Sequence, residues 1–385
     1  MHVVLAAGGT AGHIEPALAL ADALRRRDPG IGITVLGTAT GMENTLVPAR
    51  GYPVAHVPRV PLPRKPSADL LRLPPRVIGA YRTAKDVLRE LKADALVGFG
   101  GYVCVPAYLA ARSAGLPIVV HEANTPAGIA NRIGARLTDF VATTARADDL
   151  PHGRVIGLPL RRSIATLDRP ATRAAAAAHF GLQPDLPTLL IFGGSQGARS
   201  LNTAGGAAAA GLSEAGIQVL HAVGRDNWAS RGSLFPTVGP SEPNEDAATV
   251  TVPFVEGAAP YVIVPYLERM DLAYAAADVA LCRSGAMTCA ELAAVGLPAW
   301  YVPLPIGNGE QRRNALPLVE AGGGGIVEDA ALDAAWMMAN LVPLLKDPDR
   351  VAAMSQAAAT HGRRDADEGL ADLLMEAVAA KGRPS

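Results

Sequence analysis

"VVLAAGGTAGHIEPALALADAL", residues 3–24, packs a short valine-rich run, a glycine cluster and an amphipathic stretch into one continuous segment. Val3–Ala7 reads as a buried strand, and Ile14, Leu18, Ala21 and Leu24 recur at helical spacing. The segment is therefore strand, tight turn, helix. Gly8, Gly9 and Gly12 let the backbone turn sharply and approach a ligand, and the first N–H groups of the helix point outward with the positive end of its dipole. Such a turn suits an anion, although a plain β–α turn that binds nothing has the same sequence pattern. An NTPase loop needs a Gly-Lys-Ser/Thr ending, which is absent. A dinucleotide fold needs an acid at the end of the second strand; "ITVLGTATGMEN", residues 33–44, reaches Gly37 and Thr38 there, so NAD is not expected.

The pattern returns in "TLLIFGGSQGARSLNTAGGAAAAGL", residues 188–212, which sets Gly193 and Gly194 on Gly8 and Gly9, Ser195 on Thr10 and Gly197 on Gly12. Two strand-glycine-helix units half a chain apart predict two α/β domains, each opening on the same unit. The segments between and after them alternate strand and helix at the spacing of parallel sheets. The linker is expected within residues 157–170, where Pro159 and Pro170 bracket a charged, loop-like stretch. The predicted domains are 1–163 and 164–355, with a helical tail, 356–385, packing back on the first. Residues 230–249 are polar and rich in Pro, Gly and Ser, as in a surface insertion. Two open parallel sheets facing one another would form a cleft lined by both glycine loops.

A length of 385 residues suits two cores, and 49% hydrophobic with 18% charged residues marks a globular chain. The formal net charge of −1 argues against a general nucleic-acid binder. Cys104, Cys282 and Cys289 form no C-x-x-C pair and read as core thiols of a reducing compartment. No signal peptide is expected, and the longest uncharged stretches are broken by Gly and Pro short of spanning length. "DVALCRSGAMTCAELAAVGLP", residues 278–298, presents a second helix start at a strand end. Amides near Gly285–Thr288 suit a pyrophosphate, and Glu291, one turn in, suits two vicinal hydroxyls. The bland alternative for Glu291 is a favourable acid on an exposed helix. In "IGNGEQRRNALPL", residues 306–318, Gln311 and Asn314 share a helical face suited to a hydroxylated ring, as a merely solvated face also would. "DPD" at 347–349 reads as a turn and "DAD" at 365–367 as part of a polar tail, so no metal site is predicted; helix dipoles would offset the diphosphate charge.

Taken in order, "GGTAGH", "GFGGYVCVPAYLAA", "HEAN", "GGSQGARSLN", "CRSGAMTCAELAAVGLP" and "EQRRNALPL" resemble the UDP-N-acetylglucosamine:lipid I N-acetylglucosaminyltransferases of peptidoglycan synthesis over nearly the whole chain. The resemblance implies the GT-B fold, two Rossmann-like parallel-sheet domains facing across a cleft. It implies inverting transfer of GlcNAc from UDP-GlcNAc to the C4 hydroxyl of a MurNAc-pentapeptide on undecaprenyl pyrophosphate, with no cofactor and no metal. By matching motif it implies a donor site of Thr10, Ala11, Gly12, Asn124, Arg161, Ser195, Leu267, Ala286, Met287, Thr288, Glu291, Gln311 and Asn314. Within it the Glu291 equivalent holds the ribose, the Leu267 backbone meets uracil, and Gln311 and Asn124 read sugar hydroxyls. The acceptor diphosphate would lie by Gly9, Thr10 and Gly12. Three positions depart from the family pattern: Ala11 for a glycine, Ala123 where Gln is frequent, and Leu158 where Asn is usual.

The attacking hydroxyl needs a base. His13, a residue type that titrates near neutrality, is the first candidate, with a capping or ligand-orienting role as its alternative; Glu122 is the second, with structural pairing as its alternative. Residues 59–92 hold nine Arg/Lys against three Asp/Glu, with Leu70, Leu71, Leu73, Val77 and Ile78 interleaved. That composition suits an anionic membrane surface, as it also suits an ordinary surface helix. The expected location is the cytoplasmic face of the cell membrane, peripherally bound, with cell-wall synthesis proteins as further partners and no nucleic acid. A UDP-GlcNAc 2-epimerase-type enzyme and a non-catalytic nucleotide-sugar-binding subunit are the competing readings.

Overall fold

A computed structural model describes residues 1–60, 69–144, 150–194, 197–235, 250–252, 257–306 and 308–382. The chain divides into two compact units, Met1–Arg162 with Arg363–Ser385, and Ser163–Gly362. Unit 1 is built on β1 (His2–Ala7), β2 (Gly32–Gly37), β3 (Val54–His56), β4 (Ala95–Gly100), β5 (Ile118–Glu122), β6 (Val141–Thr143) and β7 (Gly153–Val155). They form one sheet in the order β3-β2-β1-β4-β5-β6-β7, parallel throughout. β1 lies inside the sheet between β2 and β4, with Val3 paired to Ile33 on one side and to Ala95 on the other. Its residues Val3 to Ala7 are fully buried, as a strand covered on both faces by helices requires.

Unit 2 carries β8 (Thr188–Phe192), β9 (Gln218–Ala222), β10 (Val250–Val252), β11 (Tyr261–Val264), β12 (Val279–Cys282), β13 (Ala299–Tyr301) and β14 (Gly324–Ile326). The order is β10-β11-β9-β8-β12-β13-β14, parallel except for the antiparallel β10–β11 edge. In both sheets the order reverses beside the strand that opens the unit: between β1 and β4, and between β8 and β12. A doubly wound sheet binds ligands outside the carboxyl ends at such a reversal, because the two crossovers leave on opposite faces and open a crevice there. The glycine loops after β1 and β8 stand at these two points.

The helix Ala11–Arg27 buries Ile14, Ala17, Leu18, Ala21 and Leu24, all at 2% exposure or less, against the first sheet. On the same layer lies the last helix, Ala366–Lys381, through Leu370, Leu373, Leu374 and Ala377. Its rim is ionic. Arg26 pairs with Asp367 and Glu368, Arg27 with Glu368 and Asp372, and Arg154 with Glu376, at 2.6–2.7 Å. Asp367 of "DAD" is thus committed to Arg26, while Asp347 of "DPD" caps the helix Pro348–Ala359 by accepting the Arg350 N–H.

The stretch 157–170 is less loop-like than its charge and prolines predict. Leu158, Leu160 and Ile164 are buried, residues Arg162–Ala165 form one helical turn, and Asp168 caps the helix Arg169–Phe180. Residues 236–249 of the expected insertion lie outside the described residues. All three cysteines are buried free thiols.

Candidate active site

At the unit 1 switch point the backbone itself makes the geometry. Gly9 has φ +92°, a conformation L side chains rarely adopt, and Gly101, in the loop after β4, would bring a Cβ to 2.3 Å from the Gly8 carbonyl. The two loops therefore touch only because position 101 is glycine. Thr10 is the extended N-cap of the Ala11–Arg27 helix and makes no side-chain cap, so the first-turn amides face outward.

His13 stands one turn in and is half-buried. Its Nδ1 lies 3.2 Å from the Gly8 carbonyl and 3.3 Å from Thr10 Oγ1. A carbonyl only accepts, so Nδ1 carries the proton and Nε2 keeps its lone pair. That nitrogen hangs over Gly100, where an added Cβ would sit 3.0 Å from it. The ring is thereby fixed through Nδ1, with Nε2 toward Gly100.

Glu122, at the end of β5, is 4% exposed and engaged on both oxygens. Oε1 accepts the Asn124 N–H at 2.8 Å; Oε2 accepts the Gly128 N–H at 2.8 Å and Asn131 Nδ2 at 3.1 Å. Tyr108 donates to Asn131 Oδ1 at 2.8 Å and completes the knot. The carboxylate thus shapes the 123–128 loop and holds the backbone of Asn124. Next to it His121 donates through Nε2 to the Gly157 carbonyl at 2.9 Å, and burial drives its pKa down to about 4. Ala123 and Leu158, two of the departures, are buried apolar residues; Ala11 begins the first helix, where its methyl is tolerated. Arg161 lies in unit 1, its Nε 3.8 Å from Glu15 on the first helix.

At the unit 2 switch point Gly194 (φ +88°) matches Gly9, and Gly193 would drive a Cβ to 2.3 Å from the Ala198 N–H. The likeness stops at the third glycine. Gly12 is the second residue of a helix, whereas Gly197 has φ +75° in the loop, packed against the Val223 carbonyl, and the helix Arg199–Glu214 begins after it. Ser195 lies outside the described residues.

After β12, Ser284 is fully buried and its hydroxyl has no hydrogen-bond partner. It sits at the start of the helix Ala286–Val295, whose N-cap Gly285 offers no side chain and whose first turn holds no acid. The half-buried Ala286, Met287 and Thr288 thus present uncapped amides beside an unpaired hydroxyl, an arrangement that suits phosphate oxygens. Glu291 is 4% exposed and accepts the Tyr274 hydroxyl at 2.8 Å, so it is an ordered buried carboxylate rather than an exposed first-turn acid. Asn314 Nδ2 donates to the Ser284 carbonyl at 3.2 Å and Gln311 Oε1 accepts the Leu304 N–H at 2.9 Å, which ties the helix Glu310–Glu320 to the same strand ends. Leu267 is buried in the turn between β11 and the helix Met270–Ala276.

One cluster escaped the sequence reading. Arg283 pairs with Asp329 at 2.5 Å, donates to the Val302 carbonyl at 3.0 Å and to Ser200 Oγ at 3.0 Å, and so locks the Ser284 loop to the start of the Arg199–Glu214 helix. Its signal was the Arg beside Ser284 in "CRSG". Among the described residues no group of three or more His, Cys, Asp or Glu is arranged to hold a metal ion.

Residues 3–143 match the glycosyltransferase family 28 N-terminal domain, and residues 188–370 match the family's C-terminal domain. The chain belongs to glycosyltransferase family 28. The two matched regions open at β1 and β8, the strands that carry the glycine loops. Among family 28 relatives, the UDP-N-acetylglucosamine--N-acetylmuramyl-(pentapeptide) pyrophosphoryl-undecaprenol N-acetylglucosamine transferase of Streptomyces avermitilis is 57% identical, with all of both chains covered. The like-named protein of Acidothermus cellulolyticus is 56% identical over 99% of each chain. The crystal structure of Acinetobacter baumannii MurG superposes with a TM-score of 0.74 at 29% identity, covering 97% of this chain and 99% of that one. UDP-GlcNAc 2-epimerase from Neisseria meningitidis shares the fold, with a TM-score of 0.64 at 15% identity over 98% of this chain and 100% of that one. The architecture is GT-B, each unit a parallel, Rossmann-like sheet.

Proposed function

We infer that this family 28 chain transfers GlcNAc from UDP-GlcNAc to the C4 hydroxyl of lipid I, with inversion, to give lipid II. The observation that carries the reading is 57% identity along the entire length to a transferase whose name gives that donor and that acceptor. The family resemblance suggests the roles, and the geometry of the two switch points is compatible with them. UDP binds unit 2: its diphosphate meets the Ala286–Thr288 amides and Ser284 Oγ, Glu291 holds the ribose and the Leu267 backbone meets uracil. Gln311 and Asn314 face the sugar. Ser195 and Arg161 complete the donor set by family resemblance, as do Asn124 and the Thr10–Gly12 turn. The acceptor diphosphate lies by the turn of Gly9, Thr10 and Gly12, on the side of the uncapped helix start, which offsets its charge.

His13 Nε2 takes the proton from the attacking hydroxyl as the bond from that oxygen to the sugar C1 forms. The bond from C1 to the UDP oxygen breaks, and the leaving UDP carries away the electron pair. Glu122 positions Asn124 and is not the base, because both its oxygens already accept internal donors.

For a lipid-borne acceptor we assign the face of the helix Asp69–Glu90 to the membrane. Arg76, Arg82, Lys85 and Arg89 are exposed around Ile78, itself 49% exposed, while Ala80, Ala84 and Leu88 pack inward. The side chains of Leu70, Leu71, Arg72 and Leu73 lie outside the described residues. We propose peripheral attachment at the cytoplasmic face, with cell-wall synthesis proteins as further partners; no helix among the described residues is long and apolar enough to cross a membrane.

Incubation with labelled UDP-GlcNAc, with and without lipid I, tests the assignment. UDP release that needs lipid I and yields labelled lipid II is the expected result. Acceptor-free isomerisation would mean an epimerase, and binding without turnover a non-catalytic subunit; either outcome overturns the assignment.

A further inference from the structure

The step out of β2 lacks the ribose-binding acid of a dinucleotide fold at its end, yet an acid reaches the switch point by another route. Glu43, in the first turn of the helix Glu43–Ala49, folds back over the strand end and is fully buried. Its Oε1 accepts the Thr38 N–H at 2.6 Å and the Thr38 hydroxyl at 2.8 Å; its Oε2 accepts the Gly9 N–H at 3.3 Å. Burial pushes the carboxyl up, but these donors outweigh it and hold the group below its ordinary range, so it is an anion. Two further glycines make room for it. A Cβ at Gly37 would sit 2.4 Å from Glu43 Cγ, and one at Gly41 would sit 2.0 Å from Oε2. Unit 2 has no counterpart in sequence: the step out of β9 is Val223-Gly224-Arg225, a cation at that point, and the first acid, Asp226, is exposed.

The glycine-loop amide that a nucleotide diphosphate would use in unit 1 is therefore already spent on the protein's own carboxylate, whose charge repels a second anion. We propose that Glu43 is a positioning residue: it closes the Gly9 amide to any diphosphate, a nucleotide's included, and confines an acceptor diphosphate to the start of the Ala11–Arg27 helix at Thr10 and Gly12. The idea rests on the transferase reading for the identity of that acceptor, but the exclusion of nucleotide does not.

Glu43→Gln isolates the effect. The amide oxygen can keep both Thr38 donors, while the NH2 group turned toward Gly9 frees that N–H and adds a donor of its own. Calorimetric titration with UDP and with inorganic pyrophosphate is the test. The parent protein should take one UDP per chain; E43Q should gain a second, weaker UDP site and bind pyrophosphate at least tenfold more tightly than the parent. Gly41→Ala, whose methyl displaces Oε2 while the charge remains, should shift pyrophosphate affinity the same way by threefold or more, and it carries the test if E43Q fails to fold. One UDP per chain with unchanged or weaker pyrophosphate binding in a folded variant overturns the proposal. Lipid I-dependent UDP release by the parent is measured separately, so failure of the transferase reading leaves this result interpretable.

Discussion

At the scale of single residues, the proposed base, His13, and the proposed ribose ligand, Glu291, make opposite demands on a substitution. His13 presents Nε2 because Nδ1 is committed to the Gly8 carbonyl. His13→Asn can keep a donor for that carbonyl and lacks the outer nitrogen. Steady-state assays should then show kcat lowered by ~10²–10⁴, the usual contribution of a positioned base, with donor KM within twofold. A kcat within threefold of the parent would remove His13 from the chemistry. In the proposed scheme Glu291 acts on binding instead. A hydrogen bond to a charged group is worth ~1.5–3 kcal/mol, so Glu291→Gln should raise the UDP-GlcNAc KM by roughly ten- to a hundredfold. The Tyr274 hydroxyl shares that carboxylate, so Tyr274→Phe should move the same parameter less. Equal effects on donor and acceptor KM would assign Glu291 to packing alone.

At the scale of elements, the last helix shows apolar and ionic contacts contributing unequally. Leu374 is fully buried under the first sheet layer, and Leu374→Ala should cost ~2–5 kcal/mol in unit 1, read by denaturant unfolding. Arg27→Ala removes partly exposed pairs and should cost at most ~1 kcal/mol. The ionic rim also has a pH signature. Glu368 is pushed up by burial but held lower overall by Arg26 and Arg27, and Glu376 is held low by Arg154. A carboxyl whose folded pKa is depressed stabilises the fold above its unfolded value, so this contribution is complete above pH 4.5 and is lost as pH falls below it. Limited proteolysis should release the C-terminal helix progressively faster below pH 4.5, and a rate flat across that range would contradict the ionic account.

Most of the elements were legible because parallel strands buried on both faces are nearly continuous apolar runs, as in Val3–Ala7 and Val279–Cys282. Gly9 and Gly194 were legible as well, since a strand end followed by a left-handed turn admits little but glycine. Gly12 and Gly197 were not. Their alignment is good in letters and false in conformation, because where a helix begins depends on what its loop packs against, here the Val223 carbonyl. The same limit hid Arg283: its partners Ser200 and Asp329 are distant in sequence.

At the scale of the whole molecule, net charge conceals an asymmetric surface. The formal charge is −1, yet the helix Asp69–Glu90 exposes several cations around Ile78. Each lysine or arginine near an anionic leaflet contributes about 1 kcal/mol, so vesicles containing anionic lipid should sediment the protein at low salt and release it at high salt. Arg72/Arg76/Arg82→Glu should abolish that binding while leaving turnover of a water-soluble acceptor analogue intact. Unchanged sedimentation would assign the face to ordinary solvation.

The sequence by itself determined two parallel-sheet units, the loops at their switch points and the family to which the chain belongs, because strand burial, glycine turns and helix starts are local demands written in neighbouring residues. Only the tertiary structure decided which groups remain open for chemistry. Glu122, at the end of β5, and Glu43, folded over the end of β2, are both buried acids, and neither sequence context reveals that one carboxylate is consumed by Asn124, Gly128 and Asn131 and the other by Thr38 and Gly9. A hydrogen-bond acceptor is available or spent according to donors brought to it by distant strands, and that account closes only in three dimensions.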